Sequence, residues 1–271
     1  MNNAGQTFKI LGYILLLSFL GIQTKAQTTT KSTYKSSSKT RTHKTTNGVS
    51  STNIEYRGTI VFTDDDLDVK SISPGGFLEF SKRTFGTKRT IVLEGNANGT
   101  INREYYEGSR EVPFDPEGRQ FMEIMIPEII RSTGIGAEGR VARFYKQGGV
   151  DAVLNEIDEI SSDYVSVMYY NATLELPNLS NNDKVKIVQH AGEEISSSYE
   201  LSKLLINNKS LFLSSNATSA AFVAAASEIS SDYDQAKVYK SVLSDNTSLA
   251  TVKLVVEGSQ NISSSYEKSG I

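Results

Sequence analysis

A five-residue phrase occurs four times in the second half of the chain: Ile160-Ser161-Ser162-Asp163-Tyr164, Ile195-Ser196-Ser197-Ser198-Tyr199, Ile229-Ser230-Ser231-Asp232-Tyr233 and Ile262-Ser263-Ser264-Ser265-Tyr266. The copies stand 35, 34 and 33 residues apart. A period in this range marks a two-helix unit that cannot bury its own apolar face and stacks on its neighbours to share a core. The phrase predicts its own role: the Ile ends one helix by entering the core, the serines turn the chain and cap the next helix, and the Tyr sits in the first turn. Seven residues before each Ile stands an apolar residue, Val153, Val188, Phe222 or Val255. Ahead of the later copies come the small pairs Ala191-Gly192, Ala225-Ala226 and Gly258-Ser259, which let neighbouring helices approach closely. Ser197 with Glu200 and Ser264 with Glu267 have capping-box spacing, and Ser231 with Asp234 is a shorter-armed version. Residues 150–271 are therefore expected to form helical repeats of about 34 residues, the last copy truncated, as an α-solenoid.

Residues 53–149 read differently. Short β-rich runs separated by turn signals, with Asn98-Gly99 the clearest hairpin, predict an antiparallel meander. After it, Asp115 is expected as an N-cap and Pro116 as the first helical residue, with Phe121, Ile124, Met125 and Ile129 at helical spacing facing the sheet. The fold class expected is α+β: a small antiparallel β-meander with packed helices, followed by a stack of two-helix repeats.

Residues 1–26 have the make-up of a secretory signal peptide: Lys9, an apolar run from Ile10 to Ile22, and small residues at the −3 and −1 positions before Gln27. The apolar run is too short for a membrane span, so the protein is expected to be exported, periplasmic or secreted, with no integral span after cleavage. In residues 27–52, fifteen of the twenty-six residues are Ser or Thr and five are Lys or Arg, with no acid. Such a segment is expected to be a disordered linker, either a tether to an anionic surface or, as favoured here, a soluble spacer.

The absence of Cys excludes disulfides, thiolate nucleophiles and thiolate metal sites. His43 and His190 are too isolated to suggest a metal, and no cofactor is expected. Asp64-Asp65-Asp66-Leu67-Asp68 resembles the start of a calcium loop but has Val69 where the turn needs Gly, so a solvated acidic turn is expected. Gly134-Ile135-Gly136-Ala137-Glu138-Gly139 fits a dinucleotide fingerprint, yet a helix and not a strand precedes it; the glycines are read as a helix C-cap and the start of another helix.

Several phrases together, among them Lys70-Ser71-Ile72-Ser73-Pro74-Gly75-Gly76, Phe114-Asp115-Pro116-Glu117-Gly118-Arg119, Arg140-Val141-Ala142-Arg143 and the Ile-Ser-Ser-Asp-Tyr repeats, carry a resemblance. From about Gly58 onward the chain resembles the extracytoplasmic C-terminal region of bacterial membrane zinc peptidases of the antirepressor, beta-lactam-sensor type. The peptidase's H-E-x-x-H is absent, so the resemblance implies an envelope location and an accessory sensing or scaffolding role, not proteolysis.

The expected function is a non-enzymatic interaction or sensing module of the bacterial envelope that binds a partner protein through its helical repeats. Tyr164, Tyr199, Tyr233 and Tyr266 are the candidate contact ladder. Two alternatives stand beside it: an exported hydrolase using a carboxylate pair, and a structural scaffold that self-associates through the C-terminal repeat. Residues 150–271 carry 8 Lys, no Arg and 16 acids, a net charge of −8, which argues against a nucleic-acid partner.

Overall fold

The structure, a computed structural model, describes residues 29–33, 40–243 and 248–271. The signal-peptide reading of residues 1–26 lies outside the described residues. The fold is α+β. Its strands are β1 (Thr29–Thr33), β2 (Arg41–Asn47), β3 (Ser50–Arg57), β4 (Ile60–Phe62), β5 (Val69–Ile72), β6 (Phe77–Thr84), β7 (Thr87–Gly95), β8 (Ile101–Glu107) and β9 (Arg110–Val112). The main sheet is antiparallel in the order β1-β2-β3-β6-β7-β8-β9, and β4-β5 form a separate pair.

The meander expectation needs two corrections. The run from Ile54 to Phe62 is not one strand. The chain turns at Gly58, whose φ is +87°, so that the β4-β5 hairpin leaves the main sheet between β3 and β6. The segment read as a disordered linker also carries β1 and β2, with β2 paired to β3 from Arg41↔Tyr56 to Asn47↔Ser50. Thr is β-branched and suits a pleated surface, and a strand paired on an existing sheet needs few apolar residues of its own. The dipeptide Asn47-Gly48, with Gly48 at φ +51°, turns β2 into β3. Asn98-Gly99 joins β7 to β8 as expected, with Gly99 at φ +83°.

Helix α1 (Glu117–Thr133) covers one face of the sheet. Alternation along the strands sends Ile54, Leu78, Phe80, Ile91, Leu93 and Tyr105 to that face, where they form one core with Phe121, Met122, Met125, Ile126, Ile129 and Ile130. The Phe121 ring packs 6.0 Å from Phe80 and 6.2 Å from Tyr105. Ile124, expected in this core, is 67% exposed; the buried stripe runs through Met122 and Ile126 instead. Asp115 does not cap the helix: its carboxylate accepts from Arg119 Nε at 2.7 Å.

The remaining helices are α2 (Ala137–Asp158), α3 (Asp163–Leu174), α4 (Asn181–Glu194), α5 (Ser198–Phe212), α6 (Asn216–Ser227), α7 (Asp232–Leu243), α8 (Leu249–Ser259) and α9 (Ser265–Ser269). They pack in two layers, α2, α4, α6 and α8 in one and α3, α5, α7 and α9 in the other, each helix against its neighbour in the layer. One continuous core fills the space between the layers. The residues expected in the core by their place in the repeat are buried, the four phrase Ile residues and Val153, Val188, Phe222 and Val255, and the pairs Tyr169-Tyr170, Leu204-Leu205 and Val238-Tyr239 are buried with them. A Cβ on Gly192 would lie 3.0 Å from Ala225 Cα, and one on Gly258 would lie 2.6 Å from the Tyr239 hydroxyl, so glycine at both sites permits the close approach. The two cores meet between Ile135, which belongs to the sheet core, and Ala137, which belongs to the helical core. Gly148 and Gly149, where the sequence reading places the boundary, instead break the helical geometry inside α2.

Candidate functional site

Each copy of the phrase occupies the turn between two helices, α2-α3, α4-α5, α6-α7 and α8-α9. The third residue is the cap: Ser162, Ser197, Ser231 and Ser264 accept from the backbone N–H three residues on. The expected capping boxes are only half formed. In a full box the Glu at the third helical position would accept the N-cap amide. Here that amide goes to the preceding repeat. Ser197 N donates to Asp163 Oδ2 at 2.7 Å, Ser231 N to Ser198 Oγ at 3.2 Å, and Ser264 N to Asp232 Oδ2 at 2.7 Å. Asp163 Oδ2 also accepts from Ser196 Oγ, and Ser198 Oγ meets Ser230 Oγ at 3.0 Å. The fourth position, alternately Asp and Ser, is thus a staple that ties each turn to the next. Full capping boxes occur at two of the other helix starts, Ser180 with Asp183 and Ser215 with Thr218.

Because consecutive turns are stapled, the tyrosines that follow each staple belong to adjacent turns. Tyr164, Tyr199, Tyr233 and Tyr266 are 46%, 59%, 63% and 84% exposed, unlike the buried Tyr169, Tyr170 and Tyr239. Acids flank every one of them: Asp163 before Tyr164, Glu200 after Tyr199, Asp232 and Asp234 around Tyr233, Glu267 after Tyr266. Lys203 Nζ lies 5.8 Å from the Tyr199 ring centroid, a cation already seated on one ring.

A second feature lies where the two cores meet. Asp66 Oδ2 accepts from Arg143 Nη2 at 2.6 Å and from Arg140 Nη2 at 3.0 Å. Arg140 Nη2 also meets Glu156 Oε1 at 2.9 Å, and Arg131 grips Glu156 with Nε and Nη2 at 3.0 and 3.1 Å. This chain of charges joins the β4-β5 loop, α1 and α2, with its centre, Arg140 and Glu156, buried. The acidic stretch is therefore not simply a solvated turn. Asp66 enters this network and Asp68 accepts from Arg103 at 2.8 Å, while Asp64 and Asp65 stay exposed. Nothing local in the sequence signals the network, because its partners are separated by up to 77 residues. Tyr169 packs beneath it, and burial pushes its hydroxyl up to about 12.

Beside the network opens a cleft of about 490 Å³, walled by β4 on one side and by the α1-α2 turn and first turn of α2 on the other. Gly134 and Gly136 both have left-handed φ, as C-cap of α1 and N-cap of α2. The glycine motif therefore serves two helix ends, as read from the sequence.

His190 bridges the helices. Its Nδ1 lies 2.6 Å from the Tyr170 hydroxyl and its Nε2 lies 2.9 Å from Asp158 Oδ1, an arrangement that satisfies a buried phenol. Among the described residues, no group of three or more His, Asp or Glu is placed to hold a metal ion, and no helix is long and apolar enough to cross a membrane. Glu55 and Glu79 face each other across β3 and β6, and burial together with Glu55 pushes the Glu79 carboxyl up. This pair alternates with the core residues Ile54 and Phe80 and so points away from α1, on the outer face of the sheet. Comparison with protein-family models, with curated proteins and with solved structures finds no match.

Proposed function

We propose that the protein is a non-enzymatic binding module of the bacterial envelope, whose stacked helix pairs form a short α-solenoid and present Tyr164, Tyr199, Tyr233 and Tyr266 to a partner protein. The observation that carries this reading is the contrast within one residue type. Tyr169, Tyr170 and Tyr239 in helix interiors are buried, whereas the four at the stapled turns are exposed and sit among carboxylates. Large exposed rings on a rigid scaffold are what binding hot spots are made of, and the concave or edge surfaces of helical repeats are their usual platform. The flanking acids and the net charge of −8 in residues 150–271 select a partner surface rich in Lys or Arg, which can pair with carboxylates and seat on phenol faces.

The test is photocrosslinking from position 233 in the producing cell, with Glu175 as a control position. A partner captured from 233 and not from 175, and lost when Tyr199 and Tyr266 are both changed to Ala, supports the reading. Equal capture from both positions, or capture indifferent to the two substitutions, overturns it. Restoration by Phe at both positions would assign the contact to the rings and not to the hydroxyls.

A further inference from the structure

The hairpin that joins β6 to β7 is built against its own stability. Its two-residue loop is Phe85-Gly86, with φ of +48° and +87°. Loops with two left-handed residues favour Asn, Asp or Gly at the first position, because a bulky side chain is strained there. Phe85 nevertheless occupies it, 82% exposed and outside both cores. The flanking strands oppose like charges: Arg83 stands opposite Lys88, and Lys82 opposite Arg89. Such pairs weaken a hairpin. A loop residue and a charge pattern that both cost stability point to a use outside the fold.

A second apolar tip lies beside the first. The β2-β3 loop is Gly48-Val49; Val49 is 64% exposed, and its carbonyl accepts from Phe85 N at 3.4 Å. Behind these tips stand cations on both faces of the sheet. Alternation places Lys82 and Arg89 on the α1 face with Phe80 and Ile91, and Arg83 and Lys88 on the outer face. Residues 80–93 contain these four cations and no acid. On the α1 face the charge is partly matched, since Lys82 donates to Glu128 at 2.7 Å and Glu107 stands opposite both Arg89 and Arg110. On the outer face Arg83 and Lys88 form no salt bridge among the described residues, and the next acid on that face of β6 is Glu79, four residues from Arg83.

We propose that the paired tips dock on a lipid surface rich in anionic headgroups. Phe85 and Val49 enter the boundary between headgroups and acyl chains, and Arg83 and Lys88 meet the phosphates. A polyanionic strand is met by cations along one groove with rings for stacking. Here the cations lie on both faces behind an apolar end that includes an aliphatic side chain, which suits a surface with charge outside and hydrocarbon beneath. The tips belong to the sheet half and are distinct from the tyrosine turns, so this contact and the partner contact proposed above stand independently.

The chain contains no Trp, so a single introduced Trp reports on one position. An apolar run such as Ile10 to Ile22 has its own affinity for lipid, so the readout is kept local to the tip. Phe85→Trp is made in the full chain, with Leu249→Trp, at a 72% exposed site in the helical half, as the control. Each is titrated with vesicles of equal parts phosphatidylglycerol and phosphatidylcholine, and with phosphatidylcholine alone. The emission of the Phe85→Trp protein should shift to the blue on the anionic vesicles and be quenched by acyl-brominated lipid, while that of the Leu249→Trp protein stays unchanged. Adding Arg83→Gln and Lys88→Gln to Phe85→Trp should raise the lipid needed by about tenfold or more. Those two changes remove a like-charge opposition, so a thermal midpoint at or above the parent's shows that the loss is not unfolding. The proposal is overturned if the Phe85→Trp emission does not move at lipid up to about 1 mM, if neutral vesicles act equally, or if the Gln changes have no effect. An equal shift in the Leu249→Trp protein, or binding of a single-stranded oligonucleotide in place of the vesicles, overturns it as well.

Discussion

The carboxylate of Asp163 caps a turn that belongs to the next repeat: its Oδ2 accepts the amide of Ser197 at 2.7 Å. Asp232 does the same for Ser264, and Ser198 does it for Ser231 with a hydroxyl in place of a carboxylate. The phrase that repeats in the sequence is therefore both a helix cap and an inter-repeat clasp.

Removing a clasp should loosen the stack without unfolding a helix. Asp163→Ala should cost about 1–2 kcal/mol, because a partly buried, charge-assisted hydrogen bond is lost and an amide is left to water. Asp163→Ser should recover part of the loss, since Ser198 fills the same role. Urea unfolding of the three proteins checks this, and equal midpoints for the wild type and the Ala variant would show that the clasp contributes nothing.

Arg140 should be the most sensitive charged residue in the protein. Arg140→Ala leaves the buried Glu156 with Arg131 alone and Asp66 with Arg143 alone. Truncating one member of a buried ion network costs about 3–5 kcal/mol. Arg140→Met, which keeps the packing against Phe144 and Tyr169, should be milder. Thermal melts of both variants test the ranking.

The two kinds of glycine in the helices should respond in opposite directions. Gly192→Ala puts a methyl 3.0 Å from the backbone of α6 and should destabilise by about 1–3 kcal/mol through overpacking. Gly139→Ala has open space and should stabilise by about 0.5–1 kcal/mol through helix propensity. Denaturant midpoints decide between these signs.

Glu79 should make the protein less stable as pH rises. Burial and the facing Glu55 hold its carboxyl above the ordinary value of 4.5 in the folded state. The folded protein therefore binds this proton more tightly than the unfolded chain does. The resulting cost is absent well below pH 4.5, grows as pH passes through the ordinary and then the raised value, and is constant above that. Glu79→Gln should accordingly stabilise the protein at pH 7 and have little effect at pH 3; the difference in urea midpoint between variant and wild type at the two pH values measures this.

Much of the helical half was legible from residue order because its rules are local. The spacing of Ile160, Ile195, Ile229 and Ile262, the apolar residue seven positions earlier and the capping Ser are all read within one helix or turn, and all take the places expected of them. The glycines at 134 and 136 likewise declare two helix ends within three residues. The Ser/Thr-rich segment has the composition of a linker but the local signals of a hairpin. Asn47-Gly48 is the same hairpin dipeptide as Asn98-Gly99, and the threonines before it favour a strand.

What the amino-acid sequence determined alone is the α+β division, the period and phase of the helix pairs, and the buried positions that recur in them, Ile160, Ile195, Ile229 and Ile262 with Val153, Val188, Phe222 and Val255. Only the tertiary structure decided that the N-cap amides would be claimed by Asp163, Ser198 and Asp232 instead of by the nearby Glu200, Asp234 and Glu267. The same holds for the pairing of Asp66 with Arg140 and Arg143, and for the tie between the hairpin tips at Val49 and Phe85. Periodicity and capping depend on neighbours a few residues away, which the chain order specifies directly. Hydrogen bonds and ion pairs between distant segments depend on which competing partner the packed backbone brings into reach, and no local pattern encodes that choice.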